Sequence, residues 1–339
     1  MTAIEFPDLL RFFVQASLAV SGAAALWSIV LRQRAKHASA NQLESYKGLT
    51  GFVAKVFFVG ITLFLLLWWF AALFVFLPQG MAHEGIKVDH TIEEIVRGYQ
   101  QNIPALVVMT LFALGGVAVW IKRRLLFEKY AQTFFVAQFV LLTLITIVAA
   151  WEGLFSSRMI SSFLHNWHSF LTLGTVVTVD LLYLSTLHKH HLQKIVYPFF
   201  PLMSATIWVG LGLDFLSAGL VFEEGLRLTP QFYFVQTVIA IIIINGSLLS
   251  GRVSEELLQI ARAALPTKLS PRLQYLFGLS GAVSIVSWTT ITFVDFFEFP
   301  FLYVQFLMLY VAAIVLAYVG HFALEKLFEP RAARGIMSE

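Results

Sequence analysis

Two histidines three residues apart, His165 and His168, stand in the sequence HNWH. On a helix that spacing puts both imidazoles on one face, and imidazole is the commonest metal ligand in proteins. Further candidate ligands occur in stretches that we expect on the same side of a membrane: His83, His90, Met81 and Met159. Because thioether sulfur beside imidazole nitrogen suits copper, these six residues form the predicted metal site. The alternative is that the two HNWH histidines and Trp167 only anchor a helix end at the membrane interface.

Two carboxylates, Asp180 and Asp214, lie well inside long apolar stretches. An ionised and unpaired carboxylate inside a membrane costs about 3 kcal/mol or more, so each one needs a proton or a partner. One interpretation is a proton or cation relay. The other is a carboxyl group that is protonated, or hydrogen-bonded to hydroxyl and backbone groups of a neighbouring helix. The sequence shows no basic residue at a similar depth, so we expect no ion pair at either position.

A third chemistry would be that of haem b, which needs two imidazoles from different helices at one depth. His321 lies about 7 Å by helix rise inside the end of the last apolar stretch. It could face His191, or His188, at the end of an earlier stretch. The predicted haem ligands are therefore His191 and His321. The alternative for the HKHH run is contact with lipid phosphates.

The composition identifies the elements that must position these residues. Of 339 residues, 58% are hydrophobic and only 13% are charged, whereas about a quarter of the residues of a globular protein are charged. Apolar runs of about 20 residues recur, and each would cross a hydrocarbon layer of roughly 30 Å as a helix. We therefore predict an all-α polytopic membrane helix bundle. Its nine expected spans are 8–31, 52–78, 103–121, 131–151, 163–186, 196–222, 231–250, 274–294 and 300–326.

Several functional classes are excluded or disfavoured. The chain has no cysteine, which excludes disulfides, thiolate metal sites and cysteine nucleophiles. Its net charge of +3 comes from basic residues dispersed between apolar runs, a pattern typical of membrane-flanking loops and not of a nucleic-acid partner. The Walker A, HExxH, G-x-S-x-G and dinucleotide-binding signatures are absent. The sequence assigns no enzymatic activity, and we expect none.

The distribution of Lys and Arg predicts the orientation. Eighteen of these 23 residues follow the odd-numbered spans or lie just inside span two, and five lie on the opposite side. By the positive-inside rule, the N-terminus is outside and the C-terminus is cytoplasmic. We expect a bacterial-type inner membrane, with the basic loops against an anionic inner leaflet.

An internal repeat is predicted from the alignment of spans one to four with spans five to eight. The sequence GAAALWSIVL after Ser21 matches GTVVTVDLLYL after Leu173, and VGITL at 59–63 matches VGLGL at 209–213. Because four helices is an even number, the two halves share one orientation, which makes the repeat parallel. The predicted domains are two four-helix repeats, 1–155 and 156–297, followed by a ninth helix with a cytoplasmic tail, 298–339.

The polar segments between spans are few. The outer loop 79–102 is the largest polar surface outside the membrane, and it contains a predicted short helix that begins at Thr91. Two long cytoplasmic connections are expected at 33–50 and 251–273. Within the second, residues 254–265 have the pattern of an amphipathic helix that ends before Pro266.

Three stretches, HSFLTLGTVVTVDLLYL, IIIINGSLLSGRV and GAVSIVSWTTITFVDFF, resemble the copper-resistance-D family and its bacterial relatives. The resemblance covers mainly residues 160–297. It implies about eight membrane helices, copper handling at a bacterial inner membrane, and His168 as a ligand-like position. The chain departs from the family's pattern at Ala16, which occupies the matching position in span one, in having only seven methionines, and in its ninth span.

We therefore expect an integral inner-membrane protein that binds or transports a small cation, with copper favoured. One alternative is a non-catalytic membrane anchor or scaffold subunit of a larger complex, and another is a haem b electron-transfer subunit. The expected partners are the bilayer, other membrane subunits or a periplasmic metal carrier, and no nucleic acid.

Overall fold

The computed structural model describes residues 6–76, 90–122, 124–149, 157–188, 193–221, 229–262, 271–294 and 299–328. In this part of the chain every regular element is a helix, and no strand occurs. This confirms the all-α prediction. Helices are the expected outcome because backbone polar groups in a hydrocarbon layer must be satisfied within their own segment.

The first two helices form a long hairpin. Helix α1 spans Phe6–Ala35 and α2 spans Ala40–Phe70, which continues as a π-helical turn, Ala71–Phe76. The predicted connection 33–50 is thus shorter than expected, because most of its residues are helical. Ser39 is the N-cap of α2, and its backbone N–H donates to the Gln42 side chain at 3.3 Å.

The next two helices are α3, His90–Lys122, and α4, Arg124–Ala149. Helix α3 continues through Pro104, which removes one backbone donor without ending the helix. The short separate helix that we predicted from Thr91 is therefore the first part of a longer one. The remainder of the predicted outer loop, residues 79–89, lies outside the described part of the chain.

The fifth span is divided by a π-helical turn. Helix α5 covers Ser157–Ser169, the π turn covers Phe170–Gly174, and α6 covers Thr175–His188. The sixth span begins with a short helix α7, Gln193–Val196, which is followed by a 3₁₀ turn, Tyr197–Phe199. It continues as α8, Phe200–Val221.

The last elements are α9 to α12. Helix α9, Pro230–Leu248, passes through a π turn, Leu249–Val253, into α10, Ser254–Arg262. This α10 is the predicted amphipathic helix, and its Leu257 is fully buried against the rest of the protein. Helices α11, Pro271–Val294, and α12, Tyr303–Phe328, complete the described chain.

Six helical segments in the described part are long and apolar enough to cross a membrane: Phe12–Ala35, Gln42–Leu73, Lys194–Ser217, Pro230–Ala261, Tyr275–Val294 and Tyr303–Ala323. A shorter apolar segment is Leu106–Lys122. Predicted spans four and five are helical but are not among these six. The protein is thus a membrane-spanning helical protein, as its composition indicates.

The centre of the molecule is a close crossing of α1 with the π turn Phe170–Gly174. A Cβ atom at Gly174 would lie 2.1 Å from the Ala19 carbonyl oxygen, and one at Gly22 would lie 2.8 Å from the Phe170 ring. Each of the two helical segments therefore carries a glycine where the other approaches, because only a residue without a side chain allows this separation.

A second pair of close approaches flanks this crossing. On α2, a Cβ atom at Gly60 would lie 2.8 Å from Ser21 Oγ of α1. On α8, a Cβ atom at Gly210 would lie 2.6 Å from Thr172 Cγ2 of the π turn. Glycine thus brings α2 onto α1, and α8 onto the fifth span, in the same way.

Candidate functional site

The candidate site is built on the π turn Phe170–Gly174 and the helical residues before it. All five residues of the turn are buried. A π turn changes the register of side chains along a helix and often occurs at functional sites. Hydroxyl groups support its backbone: Thr172 Oγ1 donates to the His168 carbonyl at 2.7 Å, and Thr175 Oγ1 donates to the Phe170 carbonyl at 3.3 Å.

His168 is held between α5 and α8. Its side chain is 6% exposed, and its Nδ1 lies 3.1 Å from the Gly210 carbonyl oxygen. A carbonyl oxygen can only accept, so Nδ1 carries the hydrogen, and Nε2 is the nitrogen available for other chemistry. This contact depends on Gly210, because a side chain there would push α8 away from the fifth span.

Asp214 lies one helical turn further along α8. Its Oδ1 is 3.8 Å from His168 Nε2, which is ion-pair range and not hydrogen-bond range, and its side chain is 23% exposed. Because Nδ1 is bonded to the Gly210 carbonyl, Nε2 is the His168 nitrogen that faces the carboxyl group. We call His168, Asp214 and the Gly210 carbonyl the paired site.

The paired site corrects the expectation that Asp214 has no basic partner. That expectation followed from a fifth span that began at 163, which put His168 near the outer end of its helix. In the structure α5 begins at Ser157, so His168 lies 11 residues, about 16 Å by helix rise, from the start of its helix. The start of this helix was not predicted because the first turns of α5 are polar.

His165, the other histidine of HNWH, also lies near the paired site. Its ring centroid is 5.9 Å from that of His168, in agreement with the predicted shared helix face. The intervening Asn166 accepts a hydrogen bond from Gln15 Nε2 of α1 at 2.9 Å, which ties α5 to α1 beside the paired site.

The structure does not describe the side chains of the other predicted metal ligands. Met81 and His83 lie outside the described residues, and the side chains of His90 and Met159 are likewise outside the description. Among the residues that are described, no group of three or more His, Asp or Glu side chains could hold a metal ion. The six-residue copper site remains a prediction.

Asp180, the second predicted relay residue, borders a cavity of about 70 Å³ between α6, α8, α9 and α11. Its Oδ1 points towards α11, where a Cβ atom at Gly281 would lie 3.9 Å away. No hydrogen bond or ion pair joins the Asp180 carboxyl group to another described residue. Most of the lining is apolar. We call this space the Asp180 cavity.

Trp288 of α11 connects the paired site with the Asp180 cavity. Its side chain is 2% exposed, its ring centroid is 5.6 Å from that of His168, and it lines the cavity. Asp180 is 12 residues from His168, about 18 Å along the helix. Trp288 is thus the residue that contacts His168 and also borders the cavity of Asp180.

The predicted haem ligands have different outcomes. His191 lies outside the described residues. His321 of α12 stacks on Tyr183 of α6, with ring centroids 6.1 Å apart and an interplanar angle of 18°. It also lies against α11, where a Cβ atom at Gly278 would be 2.7 Å from its ring. The haem pairing remains a prediction.

Sequence reasoning missed Trp288, Gly210 and Asn245. Trp288 belongs to the Ser-Trp pair that carries part of the family resemblance, and Gly210 lies in the VGLGL segment of the repeat alignment. Both signals pointed to these residues without indicating what they contact. Asn245 stands alone among isoleucines in IIIINGS, and an amide in such a run indicates a buried polar contact.

Comparison with protein families, with curated proteins and with solved structures finds no match to this chain.

Proposed function

We propose that this protein binds or transports a small cation across a bacterial-type inner membrane, and that the proton is the cation its paired site handles best. The observation that carries the proposal is the separation of 3.8 Å between His168 Nε2 and Asp214 Oδ1. Such a pair binds one exchangeable proton, and histidine is the side chain whose charge changes most readily near neutral pH.

The path we propose runs from the paired site, past Trp288, into the Asp180 cavity. Intramembrane carboxylates and histidines that face a protein interior are typical of proton relays. The cavity of about 70 Å³ has room for about two water molecules, since each takes up roughly 30 Å³ in the liquid. Water there would extend the path from Asp180 towards Trp288, which also lines the cavity.

The architecture we propose for this path is two parallel four-helix repeats plus a ninth helix, with the N-terminus outside and the C-terminus cytoplasmic. Glycine contacts at corresponding positions support the repeat. Gly22 and Gly174 correspond at the close crossing, and Gly60 and Gly210 correspond beside it. Reporter fusions check the orientation, since a fusion at Gly85 should report the exterior and one after Glu339 the cytoplasm.

A second candidate cation is copper, as the resemblance to the copper-resistance-D family implies. Two observations favour it. The rings of His165 and His168 are 5.9 Å apart on one helix face. An ion about 2 Å from both atoms would also fit between His168 Nε2 and Asp214 Oδ1. Scaffold and haem roles have no comparable geometric support among the described residues, and they remain the alternatives to be tested.

The test is proton uptake into proteoliposomes of the purified protein, with a trapped pH-sensitive dye and a potassium diffusion potential as driving force. We expect uptake well above that of empty liposomes, and at least a tenfold loss in Asp214→Asn and in His168→Ala. Glu255→Gln, which changes an exposed carboxylate of α10, is the control and should behave as wild type.

Two results would overturn the proton proposal. One is wild-type uptake no greater than that of empty liposomes. The other is undiminished uptake in Asp214→Asn. Thermal unfolding of each variant, followed by helical circular dichroism, separates a loss of transport from a loss of folded protein.

A further inference from the structure

The Asp180 cavity presents hydrogen-bond acceptors. The carboxyl group of Asp180 has no partner among the described residues, and an ionised carboxylate can only accept. Asn245 also lines the cavity, and its Nδ2 donates to the Ser280 carbonyl at 2.9 Å. Its amide oxygen remains as an acceptor.

Ser204, a third lining residue, is an acceptor for a different reason. Ser250 Oγ donates to the Gly246 carbonyl at 2.7 Å and accepts from Trp208 Nε1 at 3.0 Å. Because the hydrogen of Ser250 is used in this way, the short hydrogen bond between the two hydroxyl groups must be donated by Ser204. The lone pairs of Ser204 Oγ are then its remaining hydrogen-bonding capacity.

The remaining walls of the cavity disfavour most molecules and ions that could bind to these three acceptors. They are largely aliphatic and aromatic, with Trp208, Trp288 and Phe277 among them. A bare metal ion prefers a shell of several oxygen or nitrogen ligands, which these walls do not supply. Aromatic faces do attract organic cations. The volume of about 70 Å³ is about half that of an engineered cavity of about 150 Å³ that binds benzene, so the ligand is small.

We propose that the Asp180 cavity is a binding site for a small primary ammonium cation, of the size of methylammonium. Its three N–H donors match the three acceptors of Asp180, Asn245 and Ser204, and its methyl group matches the apolar walls. Asp180 provides the countercharge that makes the cation stable in the membrane. The inference rests on the proposed function only in treating the cavity as part of a cation path, and it names the substrate class for that part.

The experiment is equilibrium binding of radiolabelled methylammonium to the purified full-length protein in detergent. We use binding because the neutral amine crosses bilayers unaided and would obscure transport. We expect saturable binding that ammonium displaces. Tetramethylammonium, which has the same charge but no N–H donor and a larger volume, should not displace it.

The variants assign the site. Asp180→Asn should weaken methylammonium binding at least tenfold, and Asp180→Glu should retain part of it. Ser204→Ala removes one acceptor and should weaken binding two- to fivefold, which keeps the inference testable if Asp180→Asn fails to fold. Glu255→Gln, which changes an exposed carboxylate of α10 outside the cavity, is the matched control and should bind as wild type.

The inference is overturned if the wild-type protein shows no saturable binding, if tetramethylammonium competes as well as ammonium, or if Asp180→Asn and Ser204→Ala both bind normally. The two proposals fail separately. Proton uptake without methylammonium binding overturns only this inference, and methylammonium binding without proton uptake overturns only the proton proposal.

Discussion

The first and second predicted halves, residues 1–155 and 156–297, both carry close glycine contacts but differ in their ionisable residues. Gly22 and Gly60 in the first half have close contacts of the same kind as those of Gly174 and Gly210 in the second. In the repeat alignment, however, Ala16 corresponds to His168, Phe64 to Asp214 and Ser28 to Asp180. The three ionisable residues of the second half thus correspond to small or apolar residues in the first.

The surroundings of these counterparts are consistent with a structural role. Phe64 is fully buried, and its ring makes an edge contact with Trp68 at 4.9 Å. Helix α1 is buried along most of its length, whereas α12 is the least buried of the six membrane-spanning segments. We infer that the first half mainly supports the π turn of the second, where the proposed site lies.

The largest effect is expected at the crossing itself. Gly174→Val would place Cβ 2.1 Å from the Ala19 carbonyl oxygen and 2.7 Å from Ala23 Cβ, and a backbone atom cannot move aside cheaply. We expect a loss of about 3 kcal/mol or more, seen as aggregated protein in size-exclusion chromatography. Gly212→Val on α8, where a Cβ atom meets nothing within 4 Å, is the control. Equal behaviour of the two variants would contradict the close crossing.

The next test converts the second half into a copy of the first. The double variant His168→Ala with Asp214→Phe reproduces the Ala16 and Phe64 pattern, so it should fold but lose at least nine-tenths of proton uptake. Because the two side chains act as a pair, each single variant should lose nearly as much as the double one. Fully additive losses would show that His168 and Asp214 act independently.

Copper binding sharpens the comparison further, because only the second half has the HNWH histidines. His165→Ala with His168→Ala should raise the copper dissociation constant at least tenfold in isothermal titration. Binding to the wild type should weaken below about pH 6 as imidazoles become protonated. His37→Ala, an exposed histidine outside the site, is the control. If the double variant binds copper unchanged, the two histidines do not form a copper site.

The smallest effects on stability are expected when a single methyl group is added by a Gly→Ala substitution. Gly210→Ala would place Cβ 2.6 Å from Thr172 Cγ2 and should cost about 1 kcal/mol. Gly60→Ala should cost less, because its nearest neighbour is the Ser21 hydroxyl, the end of a side chain. Gly212→Ala should stabilise by up to about 1 kcal/mol, through helix propensity alone. Thermal unfolding measures all three, and a reversed order of Gly210 and Gly60 would contradict this comparison.

Much of the fold could be predicted from the sequence. Apolar runs of membrane-spanning length specify helices because hydrocarbon offers the backbone no other hydrogen-bond partner. The amphipathic pattern that begins at Ser254 likewise predicted α10. Element ends were less predictable: α2 begins at Ala40, and α3 joins a segment that we expected to be separate.

The candidate site was only partly predictable. Asp180 and Asp214 were identified because charge in an apolar run is costly wherever it lies, and His168 was identified because two imidazoles three residues apart share a helix face. Their relationship to one another was not identified. The sequence does not show which helices are neighbours. An error of two turns in the predicted start of a helix also changes the expected position of every side chain along that helix.

The sequence by itself determined that this chain is a helical membrane protein and singled out a few side chains as candidates for its chemistry, because hydropathy and the cost of buried charge act residue by residue. Only the tertiary structure decided that Asp214 faces His168 and that Asp180 faces a cavity. Both depend on how closely α8 and α11 approach the fifth span, and that distance is set by glycines whose neighbours lie on other helices.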